Sequence, residues 1–179
     1  MQIYEVLQND HNVLKGLLNQ LVALKKDSTN KKELLEQIRN ELVPHSRAEE
    51  AIFYNSLRAV NSGKEVIKHS YEEHIEAEAM LTALYMESEI DASWTKDAIQ
   101  LKTALENHIR EEEGRVFELA QRVFSDEEAE DFAVAFEAMK AEVKEQGFLG
   151  TTFDLFINLL PPRVANSINK NKFASSHHS

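Results

Sequence analysis

The sequence predicts an all-α fold: an antiparallel up-down-up-down four-helix bundle with an added C-terminal helix and a short apolar C-terminal segment. Only five glycines and three prolines occur among 179 residues, and the long runs between them are rich in Ala, Leu, Glu and Lys, which favour helices. Apolar residues recur at spacings of three and four along successive stretches, the stripe of a helix that buries one face. The breaks between those stretches are short, which lays consecutive helices side by side in opposite directions. A chain of this length can bury a full core as one domain.

The first helix is expected from Ile3 to Lys26, with Leu7, Leu14, Leu18 and Leu21 on its stripe and His11 beside it. DSTNKK (27–32) reads as a turn in which Thr29 or Asn30 caps the next helix and Glu33 reciprocates. That second helix carries Leu34, Leu35, Ile38, Leu42, His45, Glu49, Ile52, Phe53 and Leu57, and Pro44 within it predicts a kink or restart near Val43. VNSGK (60–64) ends it. The third helix, from about Glu65 to Glu87, aligns Ile67, Tyr71, His74, Ala77, Leu81 and Leu84. IDASW is the next turn, with Ser93 as the expected cap, and the fourth helix, Lys96 to Val123, carries Ile99, Leu101, Leu105, His108, Glu112, Val116 and Phe117. A fifth helix from Asp126 to Glu145, capped by Ser125 with Glu128 reciprocal, packs Phe132, Val134, Phe136, Met139 and Val143 on the bundle.

Residues 1–146 therefore make the bundle and its fifth helix, and 147–173 form an apolar extension. There Phe148, Leu149, Phe153, Leu155, Phe156, Ile157, Leu159 and Leu160 build a dense patch, and Pro161-Pro162 end any short helix. The patch is expected to be buried over the bundle or against another subunit, a homodimer through 148–160 being one such arrangement. Residues 174–179 read as a disordered polar tail, so His177 and His178 are set aside.

Charge and composition narrow the function. A formal charge of -11 argues against nucleic acid and anionic membrane surfaces, which both need basic surface. The absence of cysteine removes disulfides, thiolate zinc sites and iron–sulfur ligation. MQIYEVLQNDH has no basic stretch leading into an apolar one, and no apolar run approaches the roughly 18 residues that span a bilayer. The expectation is a soluble cytoplasmic protein.

One pattern is used twice. His11 is followed after 34 positions by His45 and four later by Glu49; His74 is followed after 34 positions by His108 and four later by Glu112. HSRAEEAIF from His45 aligns with HIREEEGRV from His108, pairing Arg47 with Arg110, Glu49 with Glu112 and Glu50 with Glu113. Residues four apart on a helix differ by roughly 40° around the axis, so each His-x3-Glu pair projects from one face. In a bundle, four imidazoles and two carboxylates then converge on one interior point, a set suited to two divalent transition metals with bridging carboxylates. Burying these groups without cations is costly; ligation removes that cost.

The pattern H…HxxxE…H…HxxxE, with VPHSRAEEAIFYNSL and ENHIREEEGRVFELA around it, resembles the haemerythrin-like family, the HHE cation-binding domain. The resemblance covers about Met1 to Phe124. It implies a non-haem centre of two iron ions with His11, His45, Glu49, His74, His108 and Glu112 as ligands; manganese and zinc also suit such donors. The oxygen-carrying haemerythrins have a second histidine one turn after the third-helix ligand, where this chain has Glu78, and an aspartate five after the last histidine, where this chain has Glu112 at four. One imidazole fewer leaves a carboxylate, a water or an open position, and an open position favours reaction over reversible storage.

The reading is a di-iron protein that binds and reacts with a small oxidant: dioxygen, peroxide or nitric oxide. As an enzyme it would be a peroxide- or oxygen-consuming oxidoreductase. The alternatives are an iron- or oxygen-sensing module read through 148–160, and a di-iron oxidase of an apolar organic substrate reached between Phe148, Phe153 and Phe156. Around the frame, Glu50 and Glu113 are turned about 140° from the histidines and read as salt-bridging on the outer face. His69 reads as a surface residue, Glu78 as an extra ligand or a supporting group, and Tyr71 as packing or a donor to the metal-bound species.

Overall fold

The computed structural model describes residues 1–60, 62–146 and 156–175, and among these the regular structure is helical throughout. Helix α1 is Ile3–Val22, α2 Lys31–Ala48, α3 Asn55–Ala59, α4 Lys64–Met86, α5 Ala92–Glu111, α6 Phe117–Val123, α7 Asp126–Gln146 and α8 Pro162–Ser175. Two π-helical turns, Glu49–Tyr54 and Glu112–Val116, splice α2 to α3 and α5 to α6. The result is an antiparallel bundle of four rods in which α1 neighbours α2 and α5, while α4 neighbours the same two. Helix α7 lies along α1 and α2 on one side of the bundle.

Several local expectations are corrected. Helix α2 runs through Pro44 to Ala48 with no restart near Val43, and a π-helical turn follows it. Asn30 stands at the N-cap of α2 without a side-chain cap bond. Helix α5 begins before Lys96 because Asp91, not Ser93, caps it, its carboxylate accepting from the Trp94 amide at 2.9 Å. Ser125 and Glu128 do form the reciprocal box: the Glu128 amide donates to Ser125 Oγ at 3.2 Å and the Ser125 amide to Glu128 Oε2 at 3.0 Å. Gly63, in left-handed geometry at φ 67°, turns the chain into α4, with the Leu119 side chain where a Cβ would lie.

Two apolar layers fill the bundle. One holds Leu14, Leu18, Leu21, Leu34, Leu35, Ile38, Leu42, Leu81, Leu84, Trp94, Leu101 and Leu105; Trp94 Nε1 donates to the Leu84 carbonyl at 3.1 Å, so the indole is buried without an orphaned donor. The other holds Ile3, Leu7, Ile52, Phe53, Leu57, Ile67, Val116 and Phe117 together with Phe132, Phe136 and Met139 of α7. Ile99 and Val134 are exposed rather than packed.

The C-terminal segment also differs from expectation. A short 3-10 helix, Ile157–Leu159, ends before Pro161 as expected, but Pro162 also opens α8, as proline can at a first turn where its missing donor is not needed. Phe156, Ile157, Leu160, Val164 and Ile168 are buried in the same layer as Phe132 and Phe136. Arg163 fastens this segment, donating to both oxygens of Glu128 at 2.9 and 2.8 Å. Helix α8 runs through Ser175, so Ala174 and Ser175 are helical rather than part of a disordered tail; residues 147–155, including Phe148 and Phe153, and 176–179 lie outside the described residues.

Candidate metal centre

Between the two apolar layers lies a polar one. Moving along α1, Leu7 belongs to one layer, His11 to the centre and Leu14 to the other; along α4, Ile67, His74 and Ala77 repeat the order. The α2 and α5 rods add His45, Glu49, His108 and Glu112, the two carboxylates each opening a π-helical turn. Such turns are rare and concentrate at functional sites. All six residues are at most 4% exposed.

The six form two donor groups. His11, His45, Glu49 and Glu112 each offer an atom within 4.8 Å of the others, and Glu49, His74 and His108 do the same. Glu49 is common to both groups; Glu112 belongs to the first alone. Its Oε1 accepts from Tyr54 Oη at 3.0 Å, and the Tyr54 ring stacks on His74 with centroids 5.8 Å apart. Tyr54 is buried and carries no part of the repeated motif, so nothing in its spacing announced it.

Four further carboxylates orient the imidazoles. His11 Nδ1 lies 2.9 Å from Glu113, His45 Nδ1 3.0 Å from Asp10, His74 Nδ1 2.9 Å from Glu50 and His108 Nδ1 2.8 Å from Glu73. Each bond joins one helix to its neighbour, and together they run around the bundle. The reason is geometric. A residue one step from an inward ligand is turned about 100° and faces the adjacent helix. In an antiparallel pair, the step before on one helix and the step after on the other turn in the same sense, so Asp10 and Glu73 precede their ligands while Glu50 and Glu113 follow theirs. This ring is duplicated too, Asp10 standing to Glu73 as His11 to His74.

Three of the outer carboxylates meet a cation in turn, Lys140 at Asp10 (2.6 Å), Lys15 at Glu113 (3.4 Å) and Arg47 at Glu50 (3.3 Å), while Glu73 meets the exposed His69 imidazole (3.4 Å). Glu50 and Glu113 therefore make the expected ion pairs and also hold histidines. His69 is exposed, as its position suggested. Glu78 turns to Arg47 at 2.8 Å and joins neither donor group. Tyr71 donates to the Glu50 carbonyl at 3.2 Å rather than toward the centre.

A donor set built this way fits metal ions. In a neutral ring whose Nδ1 donates to a carboxylate, Nε2 is a lone pair directed inward, free to bind a metal ion. His74 Nε2 and His108 Nε2 stand 3.1 Å apart, both turned into the centre. Glu49 Oε1 is buried without a hydrogen-bond partner, which is costly, while His11 Nε2 faces Glu112 Oε2 and His74 Nε2 faces Glu49 Oε2, each at 3.2 Å. Electrostatics give the same picture. Burial pushes Glu49 well above the usual carboxylate range, and the neighbouring Glu112 adds to it. Burial alone would depress His11, but Glu112 and Glu113 raise it to about 9. Burial lowers His45 to about 4 despite the pull of Asp10. Without cations the centre must hold protons where ligands should be bare; divalent ions replace them.

A family model described as the hemerythrin HHE cation binding domain matches residues 2–120. A DNA nickase from Nostoc sp. strain PCC 7120 is 27% identical over 146 residues, which cover 82% of this chain and 41% of that protein, so the chain spans less than half of that relative's length. Among solved structures, a hemerythrin HHE cation binding domain-containing protein from Mycobacterium kansasii, described as an Rv2633c homolog, superposes with a TM-score of 0.66 at 23% identity, covering 93% of this chain and 99% of that one. At that identity the likeness concerns the fold.

Proposed function

The chain belongs to the hemerythrin HHE cation-binding family, and from that membership and the geometry of its centre we propose a non-haem di-iron protein that binds and reacts with dioxygen, peroxide or nitric oxide. His11, His45, Glu49 and Glu112 would hold one iron, and Glu49, His74 and His108 the other. Two irons supply electron exchange with the oxidant; the protein supplies placement and access. The four outer carboxylates keep each Nε2 bare and aimed. Tyr54 holds its hydroxyl proton toward Glu112, and the two apolar layers exclude bulk water.

The observation that carries the reading is the fate of Glu78. It occupies the position where oxygen carriers keep a further histidine, yet its Oε2 pairs with Arg47 and it joins neither donor group, so that among the described residues the second group has three protein donors. A metal held there would retain positions for an incoming molecule. Burial of all six donors favours a diatomic or peroxide over a bulky organic substrate. The acidic charge of -11 argues against extending the nickase relative's DNA chemistry to this chain.

Protein purified from its native host should contain two irons per chain, absorb in the visible, and consume added hydrogen peroxide. A colourless, iron-free protein that gains no visible band on ferrous reconstitution in air would refute the di-iron reading. A protein with two irons that leaves all three oxidants untouched would instead limit it to metal binding.

A further inference from the structure

The repeat makes the two halves of the centre alike, and α7 makes them different. In one half Asp10 holds His45, and Val6, four before Asp10, and Ala48, three after His45, are buried apolar residues. In the duplicated half Glu73 holds His108, and the positions matching Val6 and Ala48 are His69 and Glu111, with His69 exposed. What closes the first half is α7, which packs along α1 and α2.

Two residues of α7, four apart and so on one face, reach the His45 side of the centre. Phe136 meets the His45 ring edge-on, with centroids 5.7 Å apart. Lys140 is 8% exposed, and its Nζ donates to both oxygens of Asp10 at 2.6 Å. Glu41 lies 3.7 Å from the same ammonium. A buried lysine gripping both carboxylate oxygens fixes the plane of that carboxylate, and Asp10 Oδ2 is the atom 3.0 Å from His45 Nδ1.

We propose that Lys140 is a positioning residue of the metal centre: acting through Asp10, it sets the orientation of His45 and makes the His11/His45 half bind its ion differently from the His74/His108 half. Its charge offsets that of Asp10, so His45 is a less electron-rich donor than it would be beside an unpaired carboxylate. His108 lacks this control, because Glu73 meets an exposed imidazole instead. The fifth helix is thereby part of the centre. This role rests on the metal-binding half of the functional reading and needs neither iron nor an oxidant.

The test is cobalt(II) titration of the metal-free full chain, followed by the visible ligand-field bands. Wild type should take up two ions. Lys140→Met should weaken one of them about tenfold and change its band, leaving the other as in wild type, since groups that orient ligands typically affect affinity by about 10–100-fold. Lys140→Arg should restore both. Lys144→Met, on the same helix and paired with Glu41 at 3.0 Å, should alter neither, which separates the role from general loosening of α7. In an Asp10→Asn background, Lys140→Met should add no further loss, because the two act as one unit. Unchanged affinities and bands in Lys140→Met, or losses that simply add to those of Asp10→Asn, would overturn the proposal while leaving the metal centre standing. A wild-type protein that takes up no cobalt would overturn both.

Discussion

At the scale of single residues, the centre is built from neighbours in sequence that serve different helices. Glu112 faces inward as a ligand candidate, while Glu113, one step on, crosses to His11 of α1. This division yields a prediction: Glu113→Gln and Glu73→Gln should each weaken metal binding by about 10–100-fold without unfolding the protein, because both carboxylates are partly exposed and only the orientation of a ring is lost. Cobalt or zinc affinities measured by competition with a chelator check it. Equal affinities for wild type and variants would show that the rings are held by packing alone. The outer carboxylates were within reach of the sequence, since each adjoins a residue of the frame. A helical wheel places Glu50 and Glu113 on an outer face because it treats a helix as alone; in a bundle the flanks of that wheel face other helices.

At the scale of elements, the Glu128 carboxylate joins the start of α7 to the C-terminal segment through Arg163. The hydrogen bonds from Arg163 hold Glu128 below its ordinary value of 4.5. A depressed carboxylate stabilises the folded state above its unfolded value, and that contribution fades as pH falls through the lower folded value. Arg163 is half exposed, so the pair contributes below about 1 kcal/mol. Arg163→Met should therefore be less stable than wild type at neutral pH, with the gap narrowing below pH 4.5 in urea unfolding. A gap that stayed constant on acidification would show that the arginine acts through the Val123 carbonyl and the Phe124 ring instead, since neither titrates. The capping box at Ser125 was legible because its two partners lie three residues apart. The start of α8 was not, because Pro161-Pro162 signals the end of one element as readily as the beginning of another.

At the scale of the whole molecule, a polar layer divides two apolar ones and costs stability when empty of cations. Metal ions bound only by the folded state stabilise it in proportion to the logarithm of their concentration, by about 4 kcal/mol at a thousandfold excess over Kd. Removing metal with a chelator should lower Tm, and titrating the ion back should raise it progressively. His11→Ala and His108→Ala should each flatten that dependence. A Tm indifferent to added metal would mean that the centre contributes nothing to folding. The fifth helix belongs to this scale as well, since α7 closes one half of the centre and shares a core with Phe156, Leu160 and Val164 of the C-terminal segment.

By itself the sequence determined the all-helical bundle, the approximate reach of its five longest rods and the six residues that meet between them. Periodicity at three and four, and a frame repeated at identical spacing, are local signals that survive without tertiary contacts. Only the tertiary structure decided which residues support those six: Tyr54 beneath Glu112, the ring of Asp10, Glu50, Glu73 and Glu113, and Lys140 reaching Asp10 from a helix 130 positions away in the chain. The physical reason is that spacing along a chain records which face a side chain takes, whereas a hydrogen bond between helices depends on which neighbour that face meets. The duplication wrote the two halves of the centre nearly alike; the packing of α7 against one of them made them different.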